Sequence, residues 1–188
     1  MNNIIIGISG KIGSGKDTVA HFIKQHDPSF QSKAFAFKLK KIVALLAGCD
    51  FDLTLSQEGK NVYIEQFDKT IGEMLQGIGT NALRDNFDKN VWINGLFTDL
   101  KTGSNYIITD VRFKNEADAL RKKGAFLVRV NRPNNPIAEN SNRDLTHPSE
   151  TDLDDYQYFD AIIENKGTLD DLEYSVKKLL DRVSKGSF

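Results

Sequence analysis

IIIGISGKIGSGKDTVA, residues 4–20, joins a branched apolar run to a glycine-rich turn and then to a helical pattern. Residues 10–16 match the spacing G-x-x-x-x-G-K of a phosphate-binding loop. Glycines let backbone N–H groups face phosphate oxygens, the following helix directs further N–H groups at the same anion, and Lys16 adds a positive charge. The stretch therefore predicts a strand, a phosphate loop and a helix. A tight strand–helix turn without a ligand is the alternative.

The position after Lys16 departs from the usual pattern, because Asp17 stands where most phosphate loops have a hydroxyl that binds magnesium. A carboxylate is also a good oxygen ligand for Mg²⁺, and negative charge is favourable in the first turn of a helix. We therefore expect a working loop that binds phosphate groups and Mg²⁺, with Asp17 as a metal ligand; the alternative is that Asp17 only begins the helix. The residues expected to contact the donor nucleotide in this loop are Gly10, Gly13, Ser14, Gly15, Lys16, Asp17 and Thr18.

The composition is that of an ordinary globular protein. Of the 188 residues, 39% are hydrophobic and 27% are charged, and the net charge of −1 gives no strong field toward nucleic acid or a membrane. The length suits a single domain over residues 1–188. With Cys49 as the only cysteine and three histidines, neither an intrachain disulfide nor a structural zinc site is expected. We expect a cytoplasmic protein whose partners are small molecules, neither nucleic acid nor a membrane.

Short, almost wholly apolar segments alternate with helical patterns along the chain. This alternation indicates a three-layer α/β sandwich, in which helices cover both faces of a five-stranded parallel sheet. The strands are expected at Ile4–Ile8, Ala34–Phe37, Tyr106–Thr109, Phe126–Val130 and Ala161–Ile163.

Two helices carry readable end signals. A helix over 115–123 is expected to be capped by Asn115 and to end at Gly124, which can adopt the left-handed conformation. The last helix is expected to start near Thr168, with Asp171 three residues later as in a capping box.

Residues 131–150 hold three of the four prolines and many asparagines, without an apolar period. This composition predicts a long mobile loop that acts as a short lid. Phosphoryl transfer between two polyanions needs cations around the moving group. Because Arg132 and Arg143 lie on this segment, we expect them to be catalytic together with Lys16.

The chain resembles the bacteriophage-type deoxynucleoside monophosphate kinases, a P-loop family in which Lys-Asp-Thr is the usual end of the phosphate loop. The similar segments occur in the same order along nearly the whole chain: GKIGSGKDT (10–18), FAFKLKKIVA (35–44), LQGIGTNALRDNFDKNVW (75–92), ITDVRFKNEADALRKKGA (108–125), RVNRP (129–133), THPSE (146–150) and ENKGTLDDL (164–172). The resemblance implies the nucleoside monophosphate kinase fold, with ATP as donor and a deoxynucleoside monophosphate as acceptor. A phage-encoded enzyme of this kind works in the host cytoplasm.

The resemblance also suggests acceptor-binding residues. Lys40 stands at the position of the family's substrate-phosphate lysine, and Asp110, Arg112 and Glu116 are implied to face the acceptor nucleotide. Asp110 also follows an apolar run, where phosphate-loop proteins have a second carboxylate that organises magnesium, so both roles stay open. Arg84 is a further candidate cation for the phosphates.

Four more residues are candidates for contact with the two nucleotides, and for three of them an ordinary structural role is the alternative. Gln76 is expected to hydrogen-bond with the acceptor base and Trp92 is expected to stack on it, unless both residues pack between helices. Asn165 and Gly167 follow the last strand and are expected beside the donor adenine, although Gly167 also fits a simple turn.

Two other functions fit the same motifs: a kinase of the same fold that acts on a coenzyme precursor or metabolite, and a nucleotide-operated switch or assembly ATPase. A switch usually needs a positioned water and an arginine supplied by a partner. This chain has arginines on its own predicted lid and a second set of substrate residues, which favours transfer. The nucleobases that it accepts and a homodimeric state are left open by the sequence.

Overall fold

The computed structural model describes residues 3–133, 135 and 145–185. The chain forms two compact units, a sheet unit of residues Met1–Ala34 and Leu100–Phe188 and a helical unit of residues Phe35–Asp99. Because a domain is defined by its ability to fold on its own, and compact units need not have that ability, a single domain over residues 1–188 stays a prediction.

A five-stranded sheet forms the centre of the sheet unit. Its strands are β1 (Ile5–Ser9), β2 (Phe30–Lys33), β3 (Asn105–Val111), β4 (Phe126–Asn131) and β5 (Ala161–Glu164). They lie in the order β2-β3-β1-β4-β5, and every neighbouring pair is parallel. The predicted five-stranded parallel sheet is confirmed.

The second strand lies at Phe30–Lys33, so its predicted position at Ala34–Phe37 is wrong. The strand is at the edge of the sheet; Phe30 is buried while Gln31 and Ser32 are exposed. An edge strand needs fewer apolar residues than a central one, and this strand therefore lacks a continuous apolar run. The apolar residues that suggested a strand lead instead into a helix that begins at Phe37.

The α-helices of the described ranges are α1 (Lys16–His26), α2 (Phe37–Ala47), α3 (Gln57–Lys60), α4 (Ile71–Gln76), α5 (Val91–Phe97), α6 (Lys114–Lys122), α7 (Pro148–Thr151) and α8 (Leu169–Ser184). A π-helix over Gly77–Arg84 follows α4, and 3₁₀ turns lie at Phe51–Thr54 and Glu65–Phe67. Tyr63–Ile64 and Lys69–Thr70 pair as a short antiparallel ribbon. Within the described part of the chain, no helix combines the length and the apolar character needed to span a bilayer.

Helices cover both faces of the sheet, as predicted. On one face α1 and α8 pack over Ile6 and Ile8 of β1, which are fully buried. Each such side chain contributes about 1.5–3 kcal/mol through burial. On the other face, a Cβ atom on Gly7 would lie 2.6 Å from Leu127 of β4 and 3.0 Å from Leu120 of α6, so the helix packs closely on β1. The sheet therefore has a core on each side.

The predicted start of the last helix, α8, and the predicted end of α6 are confirmed. Thr168 and Asp171 form a capping box, in which the Thr168 N–H donates to Asp171 Oδ2 at 2.9 Å and the Asp171 N–H donates to Thr168 Oγ1 at 3.2 Å. Gly124, just after α6, has a φ of 75°. These signals depend on residues within one turn of each other, which makes them readable in a sequence.

Asn115 is not the cap of α6. The helix begins at Lys114, and Glu116 Oε2 accepts hydrogen bonds from the N–H groups of Arg112 and Phe113 at 2.9 and 3.1 Å. The carboxylate thus satisfies N–H groups at the start of the helix, which moves that start ahead of Asn115.

Gly79 of the π-helix lies against α2 and α5 of the helical unit. A Cβ atom on this residue would collide with Leu39 of α2. The Gly79 carbonyl oxygen accepts a hydrogen bond from the indole N–H of Trp92 in α5 at 2.9 Å. A residue without a side chain therefore allows α2 to lie close to the π-helix.

Candidate active site

The phosphate loop follows β1 and is shaped by its glycines. Gly13 and Gly15 have φ angles of 71° and 97°, in the left-handed region that side chains disfavour. A Cβ atom on Gly10 would collide with Ser14 and would lie 2.8 Å from the carbonyl oxygen of Val130. Each of these three positions therefore requires glycine, either for its backbone conformation or for lack of space. A loop that turns its backbone toward phosphate has this requirement.

The start of α1 offers donors for an anion. The helix begins at Lys16, and the residue before it, Gly15, provides no side-chain cap. The first N–H groups of a helix have no partner inside the helix and favour an anion together with the helix dipole. Among the residues that the structure describes, the Ser14 hydroxyl is the one buried side-chain donor or acceptor without a hydrogen-bond partner. Because such a group is costly, this loop fits a site completed by a phosphate group.

Lys16 lies among charged side chains that the sequence analysis assigned to the site. Its side chain is 12% exposed, and this burial lowers the pKa of its ammonium group. Its Nζ atom lies 3.9 Å from Asp17 Oδ2, whose charge raises the pKa. Arg112 lies close enough to lower the pKa of Lys16, and Asp110 close enough to raise it. The phosphate loop and the end of β3 therefore come together around this lysine.

Asp17 and Asp110 are the carboxylates predicted as metal ligands. The Asp17 side chain is 83% exposed at the start of α1, and Asp110 is half-buried near the end of β3. Within the described ranges, no three His, Cys, Asp or Glu side chains form a group that could hold a metal ion on their own. Mg²⁺ commonly takes one or two carboxylates and completes its shell with water and substrate phosphates. The donors therefore fit a magnesium ion that is bound together with a nucleotide.

Glu150 of α7 also lies in this site, although the sequence analysis did not single it out. Its side chain is 3% exposed, and its Oε1 atom lies 2.6 Å from Arg112 Nη1. Its Oε2 atom accepts a hydrogen bond from the backbone N–H of Ile12, in the phosphate loop, at 3.0 Å. The charge of Glu150 also raises the pKa of Lys16. Its signal in the sequence was its place in the segment THPSE, which carried the resemblance without a role for this residue.

Arg112 and Glu116, both predicted to face the acceptor, make contacts within the sheet unit. Besides its ion pair with Glu150, Arg112 donates a hydrogen bond to the carbonyl oxygen of Ser149 at 3.3 Å. Glu116 is buried and begins α6 through its bonds to two backbone N–H groups. These contacts orient both side chains, and their role toward the acceptor stays a prediction.

Asn165 and Gly167 have structural contacts near the phosphate loop. Asn165 Nδ2 donates a hydrogen bond to the carbonyl oxygen of Ser14 at 2.9 Å, and a Cβ atom on Gly15 would lie 2.5 Å from the same nitrogen. A Cβ atom on Gly167 would collide with Asp171, the partner in the capping box of α8. Asn165 thus braces the loop and Gly167 permits the turn, while their contact with adenine stays a prediction.

Both ends of the predicted lid segment contact the phosphate loop. Arg132 Nη1 donates a hydrogen bond to the carbonyl oxygen of Gly13 at 3.2 Å. Asn135 Nδ2 donates one to the carbonyl oxygen of Ile12 at 2.6 Å. At the other end, Glu150 bonds to the Ile12 N–H. Residues 134 and 136–144, among them the predicted catalytic Arg143, lie outside the described residues.

A second carboxylate after α7 also reaches the loop. Asp154 Oδ2 lies 2.7 Å from Lys11 Nζ, and Asp154 Oδ1 lies 2.9 Å from Arg129 Nη2. Arg129 also donates to the hydroxyl of Ser9 at 3.0 Å. The Lys11–Asp154 ion pair is more exposed than the Arg112–Glu150 pair, since the side chains of Lys11 and Asp154 are 48% and 42% exposed. The segment from Glu150 to Asp154 therefore touches the phosphate loop at two points.

The helical unit contains the other predicted acceptor residues. Lys40 is half-buried on α2, and Gln76 is exposed at the end of α4. Arg84, at the end of the π-helix, and Trp92 are both buried. The hydrogen bond from Trp92 to Gly79 favours the packing role that the sequence left open. The roles of all four at the acceptor stay predictions.

Residues 48–176 match a protein-family model described as deoxynucleotide monophosphate kinase. The chain is also 32% identical to a protein of Acanthamoeba polyphaga mimivirus that is predicted to be a deoxynucleotide monophosphate kinase, over 97% of this chain and 98% of that protein. The chain belongs to the deoxynucleotide monophosphate kinase family. As a member of this family it is a kinase that acts on nucleotides, so the prediction of an enzyme that transfers phosphoryl groups is confirmed.

One further comparison agrees with this family, and another concerns the fold. The chain is 31% identical to the deoxynucleotide monophosphate kinase of Enterobacteria phage T4, over 59% of this chain and 45% of that protein. Dephospho-CoA kinase from Campylobacter jejuni has a similar fold, with a TM-score of 0.53 and 15% identity over 97% of this chain and 98% of that one. This second likeness shows the fold alone, and it confirms the predicted α/β kinase fold.

Proposed function

We propose that this kinase transfers the γ-phosphoryl group of ATP to a deoxynucleoside monophosphate, with Mg²⁺ as cofactor, and releases ADP and a deoxynucleoside diphosphate. The observation that carries the proposal is the meeting of Lys16, Asp17, Asp110 and Arg112 around a glycine-shaped loop. Cations and oxygen donors for a metal are what transfer between two phosphates requires.

The residues of the sheet unit have separate parts in this proposal. The N–H groups at the start of α1 and the Ser14 hydroxyl bind the phosphates of ATP. Lys16 neutralises charge on the moving group, and Arg132 adds a second cation from the lid segment. Asp17 would hold Mg²⁺, with Asp110 as the second candidate; the ion, when bound, neutralises phosphate charge. Burial lowers the pKa of Lys16, and the charge of a bound phosphate would favour its protonated form.

We also propose that the partners of the enzyme are nucleotides and that it works in the cytoplasm, that of the host if a phage encodes it. The single cysteine, Cys49, allows no intrachain disulfide, which suits a reducing compartment.

The test is a panel of deoxy- and ribonucleoside monophosphates incubated with γ-labelled ATP and Mg²⁺. We expect label in at least one deoxynucleoside diphosphate, and consumption of ATP that depends on the added monophosphate. Consumption of ATP at the same rate without an acceptor would contradict the proposal, as would transfer to no nucleotide in the panel. Omission of Mg²⁺, with a chelator present, should abolish transfer.

A further inference from the structure

The carboxylate of Glu150 joins two parts of the candidate active site. One oxygen lies 2.6 Å from the guanidinium of Arg112, and the other accepts the backbone N–H of Ile12 at 3.0 Å. Ile12 belongs to the loop expected to bind ATP, and Arg112 is a residue expected to contact the acceptor. One rigid carboxylate group thus links the donor side of the site to the acceptor side.

The burial of Glu150 makes this link demanding. The side chain is 3% exposed, and a buried carboxylate is stable only while its charge and its lone pairs are satisfied. Removal of Arg112 would take away the cation that one carboxylate oxygen contacts at 2.6 Å, and the buried side chain of Glu150 would then shift. The bond to Ile12 would weaken at the same time, because both bonds belong to one carboxylate. A substitution of Arg112 should therefore weaken the hydrogen bond that Glu150 accepts from the phosphate loop.

We propose that Glu150 is a positioning residue that couples Arg112 to the phosphate loop, so that the two substrate sites depend on each other. The proposal rests on the proposed function for the identity of the two substrates. It predicts that loss of Arg112 impairs ATP binding, although the expected partner of this arginine is the acceptor, and that the impairment passes through Glu150.

A neighbouring ion pair provides a matched control. Lys114, at the start of α6, lies 2.8 Å from Asp155, which follows α7. Each partner is close in sequence to a partner of the Arg112–Glu150 pair, but the two side chains are 46% and 75% exposed. An exposed pair contributes little. The variants Lys114→Gln and Asp155→Asn should leave both KM values unchanged.

The experiment is a double-mutant cycle of Arg112→Gln, Glu150→Gln and the double variant, with the KM of ATP, the KM of the monophosphate and kcat measured for each. We expect Arg112→Gln to raise the KM of ATP about fivefold in the wild-type background and not at all in the Glu150→Gln background. In both backgrounds Arg112→Gln should raise the KM of the monophosphate. An equal effect on ATP in both backgrounds would overturn the proposal, as would no effect on ATP in either.

A merely structural ion pair gives a different result. In that case Arg112→Gln and Glu150→Gln would both lower the melting temperature, and the KM of ATP would stay at the wild-type value. If Glu150→Gln does not fold, Glu150→Asp takes its place in the cycle. It keeps the charge, but it is one methylene shorter and cannot reach both partners, so the same pattern is expected.

Calorimetric titration of ATP and Mg²⁺ into the four proteins, without monophosphate, separates this proposal from the proposed function. If the wild-type protein transfers phosphate to no nucleotide, the proposed function fails. The coupling is then judged by the Kd of ATP, which should show the same dependence on Glu150. Equal changes of Kd in the two backgrounds would reject the coupling even in an active enzyme.

Discussion

The phosphate loop and the π-helix both contain glycines next to predicted substrate residues, but these glycines are needed for different reasons. Gly15 has a φ of 97° and precedes a helix without a side-chain cap. Gly79 has no such backbone conformation, but a side chain there would collide with Leu39. The glycine of the loop permits a left-handed backbone turn at the predicted phosphate site, whereas the glycine of the π-helix permits packing. A glycine in a motif is therefore not by itself a sign of ligand contact.

The largest expected effect tests the loop side of this comparison. Lys16→Met should lower kcat by roughly 10²- to 10³-fold, because the ammonium group stabilises charge that develops during transfer. Steady-state kinetics measure the loss, and a thermal melt should show that the protein still folds. Lys11→Met is the control, since Lys11 lies in the same loop but forms an exposed pair with Asp154. A turnover of Lys16→Met near the wild-type value would exclude the phosphate-loop role.

Alanine at each of the two glycines tests the comparison directly. Gly79→Ala should lower the free energy of unfolding by about 1–3 kcal/mol through overpacking and leave the KM of ATP unchanged. Gly15→Ala should raise the KM of ATP about tenfold, because a side chain at a φ of 97° is strained and would lie 2.5 Å from Asn165 Nδ2. Urea unfolding and ATP kinetics give both values. If Gly79→Ala raises the KM of ATP, and Gly15→Ala only lowers the free energy of unfolding, the comparison is wrong.

Asp17→Asn sharpens the account of the loop. It should raise the Mg²⁺ concentration for half-maximal activity about tenfold and change the KM of ATP less, since the amide is a weaker oxygen ligand than the carboxylate. A magnesium titration at saturating ATP measures the change. Asp27→Asn, at the other end of α1, is the control of equal charge and should not alter it. An unaltered magnesium dependence of Asp17→Asn would mean that Asp17 only begins the helix.

Trp92→Phe tests the helical unit and has the smallest expected effect. The change removes the indole N–H that donates to the Gly79 carbonyl oxygen, and it should lower the free energy of unfolding by about 1–2 kcal/mol. The KM of the monophosphate should stay constant. Because Trp92 is the only tryptophan, circular dichroism is the suitable probe of unfolding. A raised KM with unchanged stability would instead support stacking on the acceptor base.

The two expectations that differ from the structure have different causes. Asn115 is a good capping residue by type, but its neighbour Glu116 reaches back to the N–H groups of Arg112 and Phe113 and moves the start of α6. The apolar run at residues 34–37 predicts the second strand there. The strand is found instead at residues 30–33, because pairing with β3 at the edge of the sheet requires few apolar side chains. Composition alone does not show which strand is at an edge.

The amino-acid sequence by itself determined the phosphate loop, the capping box of α8 and four of the five strands. These features depend on φ angles, hydrogen bonds and apolar runs that involve neighbouring residues. Only the tertiary structure decided what supports the loop. Glu150 bonds to Ile12 across 138 residues of chain, and Asn165 bonds to Ser14 across 151. Such contacts have no local pattern in the sequence. They form because the parallel sheet brings residues that are far apart in the chain together at the carboxyl ends of its strands.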